Sequence, residues 1–252
     1  MDLGLTGRTA LVTGGSKGIG RAIVDLLAAE GANVAFCART AVDVEKAEEE
    51  LRAGGANVAG TVLDVADGPA LTAWVAASAE RFGGIDVAVA NVSALTVGPG
   101  DEAWRACFEV DVLHTKHLVE AALPHLEASG GSIIAVSSVS GREIDFAKDA
   151  YGVMKAALVH YISGVALELA PRGVRANVVS PGNVYFDGGF WQGVEQANPD
   201  LFQMALGLNP TGRMGTAEET AYAVVMLASP LASRISGSNL VVDGALTKGV
   251  QL

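Results

Sequence analysis

Residues 8–31 read RTALVTGGSKGIGRAIVDLLAAEG, and the reading of this stretch decides the fold. Thr9 to Thr13 is a short uncharged run, the pattern of a strand buried on both faces. From Ile19 onward the apolar residues fall at helical spacing, and Gly31 supplies the stop. Between the two, Gly14, Gly18 and Gly20 punctuate a tight turn. Glycine there permits positive φ and lets the backbone approach a ligand closely. A helix that starts directly after such a turn offers free N–H groups and the positive end of its dipole, which suits a pyrophosphate. A glycine-rich loop alone is often only a turn. One that closes the first strand and opens the first helix is a much stronger dinucleotide signal.

The same alternation continues downstream. NVAFCAR (33–39), ANVAGTVLDV (56–65), IDVAVAN (85–91), GSIIAVSS (131–138), VRANVVS (174–180) and NLVVDG (239–244) read as strands. Between them, 42–55, 70–83, 101–129, 150–169 and 217–229 read as helices. The segment from about 181 to 212 carries no clear period and reads as irregular. Short apolar strands joined by helical crossovers predict an α/β fold. The expectation is a Rossmann-type doubly wound parallel sheet of seven strands with helices on both faces. No linker, repeat or low-complexity run interrupts residues 1–252, so a single domain is expected.

Composition narrows the function. A chain of 252 residues can bury a large core. The net charge of −11 argues against nucleic acid and anionic membrane as partners. No run of 18 or more uninterrupted apolar residues suggests a membrane span. The opening MDLGLTGRTALVTGG lacks a basic start followed by an apolar stretch, so no signal peptide is expected. Cys37 and Cys107, the two cysteines, sit in apolar surroundings and are expected to be buried free thiols in the cytoplasm. The four histidines show no ligand spacing, and no metal is expected.

YGVMK (151–155) places Tyr151 and Lys155 four residues apart, on one face of a helix. A phenol titrates near pH ~10 and is a poor acid or base at neutral pH. A fixed ammonium beside it favours the phenolate and is expected to bring its pKa toward the working range. Ser138, at the end of the strand IIAVSS, could hold a carbonyl oxygen for that phenol to protonate.

With these pieces in order, the chain resembles the short-chain dehydrogenase/reductase family from Thr6 to Gly244, in the branch that includes 3-oxoacyl-acyl-carrier-protein reductases. That family's TGxxxGxG stands here as Thr13 to Gly20, with Ser16, Lys17, Gly18, Ile19 and Gly20 along the pyrophosphate. Its catalytic Ser, Tyr and Lys are Ser138, Tyr151 and Lys155. Its Asp-Val on the adenine is Asp64-Val65, and its Pro-Gly beside the nicotinamide is Pro181-Gly182, followed by Val184. The resemblance implies hydride transfer between a nicotinamide and a carbonyl carbon, with Tyr151 as acid or base. Lys155 would lower the phenol's pKa and, with Tyr151, bind the nicotinamide ribose. It also implies a homotetramer and a small-molecule substrate.

Charge argues for NADP(H) over NAD(H). An NAD site usually ends the second strand with a carboxylate. Here that place holds Ala38, followed by Arg39 and Thr40. Arg39 and Lys17 could meet a 2′-phosphate, with Ser16 or Thr40 donating hydroxyls. The bland alternative is that both are solvated surface charges.

Three positions depart from the family pattern. The Asn-Asn-Ala-Gly after the fourth strand reads Ala90-Asn91-Val92-Ser93; Asn91 keeps its place along the cofactor and Ser93 replaces a glycine. The active-site Asn aligns with Asp111. A carboxylate there could pair with Lys155 and blunt its action on Tyr151, or serve the proton relay itself. Alternatively, the backbone carbonyl holds the relay water and the side chain matters little. Phe186 stands where the family's Thr would give a hydroxyl to the carboxamide. Phe186, Phe190, Trp191 and Phe202, in the segment after Pro181, and Ser93 are candidates to line an apolar substrate pocket. A ketone with hydrophobic or aromatic substituents is favoured. A 3-oxoacyl thioester remains an alternative, as do a catalytically silent NADP-binding protein and a non-redox lyase or isomerase that uses Tyr151 as base.

Overall fold

The apolar runs pair into one parallel sheet in the computed structural model, which describes residues 2–249. The strands are β1 (Thr9–Thr13), β2 (Asn33–Ala38), β3 (Val58–Val62), β4 (Val87–Ala90), β5 (Ser132–Val136), β6 (Arg175–Pro181) and β7 (Asn239–Val242). Their spatial order is β3-β2-β1-β4-β5-β6-β7. After β3 the chain crosses back over β2 and β1 to place β4 on the other side of β1. The order therefore reverses at β1, and sheets of this kind bind ligands beyond the carboxyl ends of the strands at that point, here β1 and β4.

Alternation along each strand builds two cores. Ala10, Val12, Val87, Val89, Ile134 and Val136 point to one face, under helices α1 (Gly18–Ala29) and α9 (Ala217–Ala228). Leu11, Ala88, Ala90, Ile133 and Ala135 point to the other, under α3 (Gly68–Phe82), α5 (His114–Ser129) and α6 (Ala150–Leu169). Because the side-chain period is two, strands covered on both faces are apolar at most positions, and buried exceptions such as Arg175 and Asn177 in β6 donate to backbone carbonyls. α2 (Ala41–Ala53) covers the β2–β3 edge and is largely polar because it buries only Val44, Ala47 and Leu51.

Local chemistry sets the helix ends. Asp67 accepts from Ala70 N to start α3, and Gly83 ends it at φ 84°. Thr216 and Glu219 form a reciprocal capping box on α9.

Two expectations need correction. The stretch 101–129 is not one regular helix: α4 (Asp101–Cys107) passes into a π-helical turn, Phe108–Leu113, before α5 begins. The segment 181–212 is not irregular throughout, for it contains α7 (Phe190–Ala197) and α8 (Pro199–Gly207). Asn198 accepts from Leu201 N and Pro199 occupies the first turn, so an Asn-Pro pair starts the second of these helices.

The stretch Ala150–Arg172 is long and apolar enough to cross a membrane by length and composition. Here α6 lies along β6 and the π turn.

Candidate active site

The glycine loop is shaped by contacts that side chains would not allow. Gly14 N and Gly15 N both donate to the Cys37 carbonyl, at 2.8 and 3.1 Å, which bends the chain sharply out of β1. A Cβ on Gly20 would collide with the Gly14 carbonyl oxygen, and Gly18 has φ +54°. Asn91 locks the loop to β4: its N–H donates to Thr13 Oγ1 at 3.0 Å and its amide donates to the Thr13 carbonyl at 3.0 Å. A close-approach backbone loop opening onto the α1 N-terminus fits a dinucleotide pyrophosphate.

At the adenine end, Arg39 is exposed and is in no ion pair among the described residues. Lys17 differs from expectation, because its ammonium lies 2.8 Å from Asp43 Oδ2 on α2. Thr40 stands at the N-terminus of α2 without a side-chain capping bond. Asp64 and Val65 follow β3, with Val65 buried and the Asp64 side chain accepting from Ala66 N.

The chemical residues converge beyond the ends of β4 and β5. Ser138 is buried directly after β5, and its hydroxyl accepts from Ser140 N at 3.1 Å. Tyr151 and Lys155 lie in the first two turns of α6. The Lys155 ammonium sits 5.6 Å from the Tyr151 ring centroid and donates to the Val136 carbonyl at 3.0 Å. Ser137 Oγ donates to the Lys155 carbonyl at 2.8 Å, which ties the helix to the strand end. Close approach of loop and helix depends on Gly152, where a Cβ would lie 2.6 Å from the Ala147 carbonyl oxygen.

Asp111 reaches Lys155. The Asp111 Oδ1 to Lys155 Nζ distance is 2.9 Å, and the two side chains are 1% and 2% exposed. Asp111 Oδ2 accepts from Ala94 N at 3.1 Å, so the carboxylate also pins the loop that carries Ser93. These partners, Val136, Ala94 and Gly152, were not singled out in the sequence.

Lys155 pulls the Tyr151 phenol down as expected, but burial leaves it above its usual value. Burial raises it most; Lys155 and Ser138 pull it down, and Asp111 and Asp145 push it back up. Lys155 is raised: burial opposes its charge, and the attraction of Asp111 and Tyr151 outweighs that. Burial lowers the neighbouring His114 to about 4, so it is neutral, with Nδ1 against the Val110 carbonyl at 3.0 Å.

The aromatic candidates divide. Trp191 and Phe202 are buried with Ala205 and Met214. Phe202 packs edge-on against Tyr185, centroids 5.9 Å apart, and supports α7 and α8 from within. Trp191 packs edge-on against both Phe190 and Phe146, at 5.3 and 5.8 Å. Phe146 is half exposed and belongs to the loop between β5 and α6, so the contact ties that loop to α7. Phe186 lies elsewhere: a Cβ on Gly18 or on Gly189 would run into its ring, so the phenyl covers the glycine loop. Pro181 is buried at the end of β6, Gly182 N donates to the Val242 carbonyl at 3.0 Å, and Val184 bridges to Gly215.

Comparison with known proteins agrees with this geometry. The family model described as enoyl-(acyl carrier protein) reductase matches residues 14–247. Isoepoxydon dehydrogenase patN from Penicillium expansum is 41% identical over 256 aligned residues, spanning 100% of this chain and 99% of that protein. The 3-oxoacyl-acyl-carrier-protein reductase FabG of Vibrio cholerae is 34% identical over 97% of this chain and 99% of its own length. A short chain oxidoreductase from Pseudomonas aeruginosa PAO1, solved with NADPH bound, superposes with a TM-score of 0.90 at 33% identity, covering 96% of this chain and 98% of that one.

Proposed function

Since the chain belongs to the short-chain dehydrogenase/reductase family of oxidoreductases, we propose that it interconverts a ketone and a secondary alcohol with NADP(H). The observation that carries the reading is the convergence of Ser138, Tyr151 and Lys155 beyond β5, next to the glycine-loop crevice. When bound, the nicotinamide supplies or accepts the hydride. Ser138 and Tyr151 would hold the carbonyl oxygen, and the Tyr151 O–H gives its proton as negative charge develops there. In oxidation the Tyr151 phenolate takes the alcohol proton. Lys155 keeps a positive charge beside that phenolate.

NADP(H) is supported by Arg39, exposed and in no ion pair among the described residues, and by the absence of a carboxylate at Ala38. The Lys17–Asp43 pair opposes this and is expected to open around a 2′-phosphate. The half-exposed Phe146 and Phe190 beside Trp191 support an apolar or aromatic substituent on the substrate. A 3-oxoacyl thioester is the second reading, favoured by the similarity to FabG. A cytoplasmic location is proposed from the two buried free thiols.

The test is a panel of ketones, 3-oxoacyl thioesters and alcohols with NADPH and NADH, read at the nicotinamide absorbance. Turnover with preference for NADPH is expected, and Arg39→Asp should shift that preference toward NADH. Failure on every carbonyl and alcohol would defeat the reading; a clear NADH preference would defeat the cofactor assignment.

A further inference from the structure

We propose that Asp111 is a positioning residue that holds Lys155 in a buried ion pair and thereby keeps Tyr151 in its protonated form across the neutral range. The inference rests on Tyr151 being the acid–base group proposed above. Its basis is the placement of the carboxylate. The π turn Phe108–Leu113 carries Asp111 toward α6, where Oδ1 lies 2.9 Å from Lys155 Nζ. Both side chains are almost wholly removed from water, so the pair is weakly screened and its charges act strongly on each other. Oδ2 is fixed by Ala94 N at 3.1 Å, which prevents the carboxylate from turning away. The backbone carbonyl of Asp111 already accepts from Thr115 Oγ1 at 2.7 Å. The side chain, not the carbonyl, therefore meets Lys155.

No other charge takes over this role. Around Asp111 and Lys155, Cys107 on α4 is a buried thiol raised by burial and by Asp111, and His114 on α5 is neutral. The groups facing Tyr151 are Lys155 on its own helix, Ser138 after β5, Asp111 from the π turn and Asp145 from the loop between β5 and α6. Asp145 is held by Ser140 Oγ at 2.6 Å and by Ala147 N at 2.8 Å. Among the described residues, Asp111 is thus the one carboxylate in direct contact with the lysine. The Lys155 ammonium therefore does not act on the phenol alone: Asp111, paired with it at 2.9 Å, and Asp145 both oppose its pull on the Tyr151 proton.

The consequence lies in the proton step. In reduction, hydride adds to the carbonyl carbon, the C=O π electrons move onto oxygen, and that oxygen takes the Tyr151 proton, leaving phenolate to be reprotonated from solvent. In oxidation the phenolate removes the alcohol proton as hydride leaves carbon. A phenol that keeps its proton puts the alkaline fall of reduction and the acid-side rise of oxidation both at higher pH.

The variant that tests this is Asp111→Asn, whose amide oxygen can still accept from Ala94 N while the charge is removed. Tyrosinate formation is followed by near-ultraviolet absorbance of the full-length chain, with Tyr151→Phe as the subtraction reference. This readout needs neither substrate nor cofactor. The Tyr151 midpoint is expected to fall by about one pH unit or more in Asp111→Asn. The acid-side limb of alcohol oxidation should move down with it. Should Asp111→Asn fail to fold, Asp111→Ser carries the same measurement with a smaller uncharged acceptor. A midpoint that is unchanged or higher in the folded variant overturns the proposal. If the midpoint falls but no carbonyl or alcohol is turned over, the assigned reaction has failed and the Asp111–Lys155–Tyr151 coupling stands.

Discussion

Tyr151 is pulled two ways. Removal from water and the carboxylates of Asp111 and Asp145 hold the proton on, and Lys155 and Ser138 draw it off. Replacing the phenol by phenyl removes the proton donor but leaves the glycine loop and Arg39 untouched. Tyr151→Phe should lower turnover by ~10²–10⁴ while NADPH still binds, as read by quenching of protein fluorescence. Loss of binding in step with turnover would instead make Tyr151 a cofactor anchor alone. His114 gives a stability prediction at the same scale. Its folded pKa is about 4, against an ordinary value of 6.5. Between these values the unfolded chain binds the extra proton, so stability is complete above the upper value and is lost as pH falls through the window. The slope is at most ~1.4 kcal/mol per pH unit. Urea unfolding at several pH values should show this loss in the wild type and a smaller one in His114→Asn.

Among the elements, the start of α6 matters most for chemistry. A methyl group on Gly152 would meet the Ala147 carbonyl at 2.6 Å and the Ser140 carbonyl at 2.9 Å, so Gly152→Ala must push the loop after β5 off the helix. Overpacking of this kind costs ~1–3 kcal/mol. A lower melting temperature and a reduced kcat are expected. Normal kcat at a lowered melting temperature would show that the loop can shift without disturbing Ser138. How legible such features were depends on their range. The strands could be read because double burial forces apolar residues at consecutive positions, as in Val87–Ala90. The π turn could not, since Phe108 to Leu113 has the composition of any amphipathic helix. α7 and α8 were hidden because the apolar residues around Trp191 and Phe202 pack on one another, not on the sheet, and so show no long period. Ser138, Tyr151 and Lys155 were legible through short spacing, whereas the hold of Asp111 on Lys155 spans two elements and was visible only as one of several alternatives.

At the scale of the whole molecule, the acidic surface keeps copies apart unless apolar faces bring them together. Trp104 on α4 and Phe108 in the π turn are 36% and 43% exposed, and Val153 and Leu167 on the adjoining α6 are 42% and 81% exposed. Residues 104 and 108, and residues 153 and 167, recur at spacings that share a helix face. A second apolar region lies on the far edge, where β7 has one unpaired side, Leu240 and Val242 are half buried, and Tyr222 and Leu231 are exposed. Two faces on one chain, each meeting its own copy across a twofold axis, would close a tetramer. The homotetramer expected by family resemblance is proposed on these two faces, and each should be separable from the other. Val153→Glu with Leu167→Glu places like charges opposite one another across the first face and leaves β7 intact. Light scattering should then give a tetramer for the wild type and a dimer for the double variant, with the Tyr151 site still folded by circular dichroism. A wild-type monomer, or a double variant that remains tetrameric, would show that the α4–α6 face is not what joins the copies.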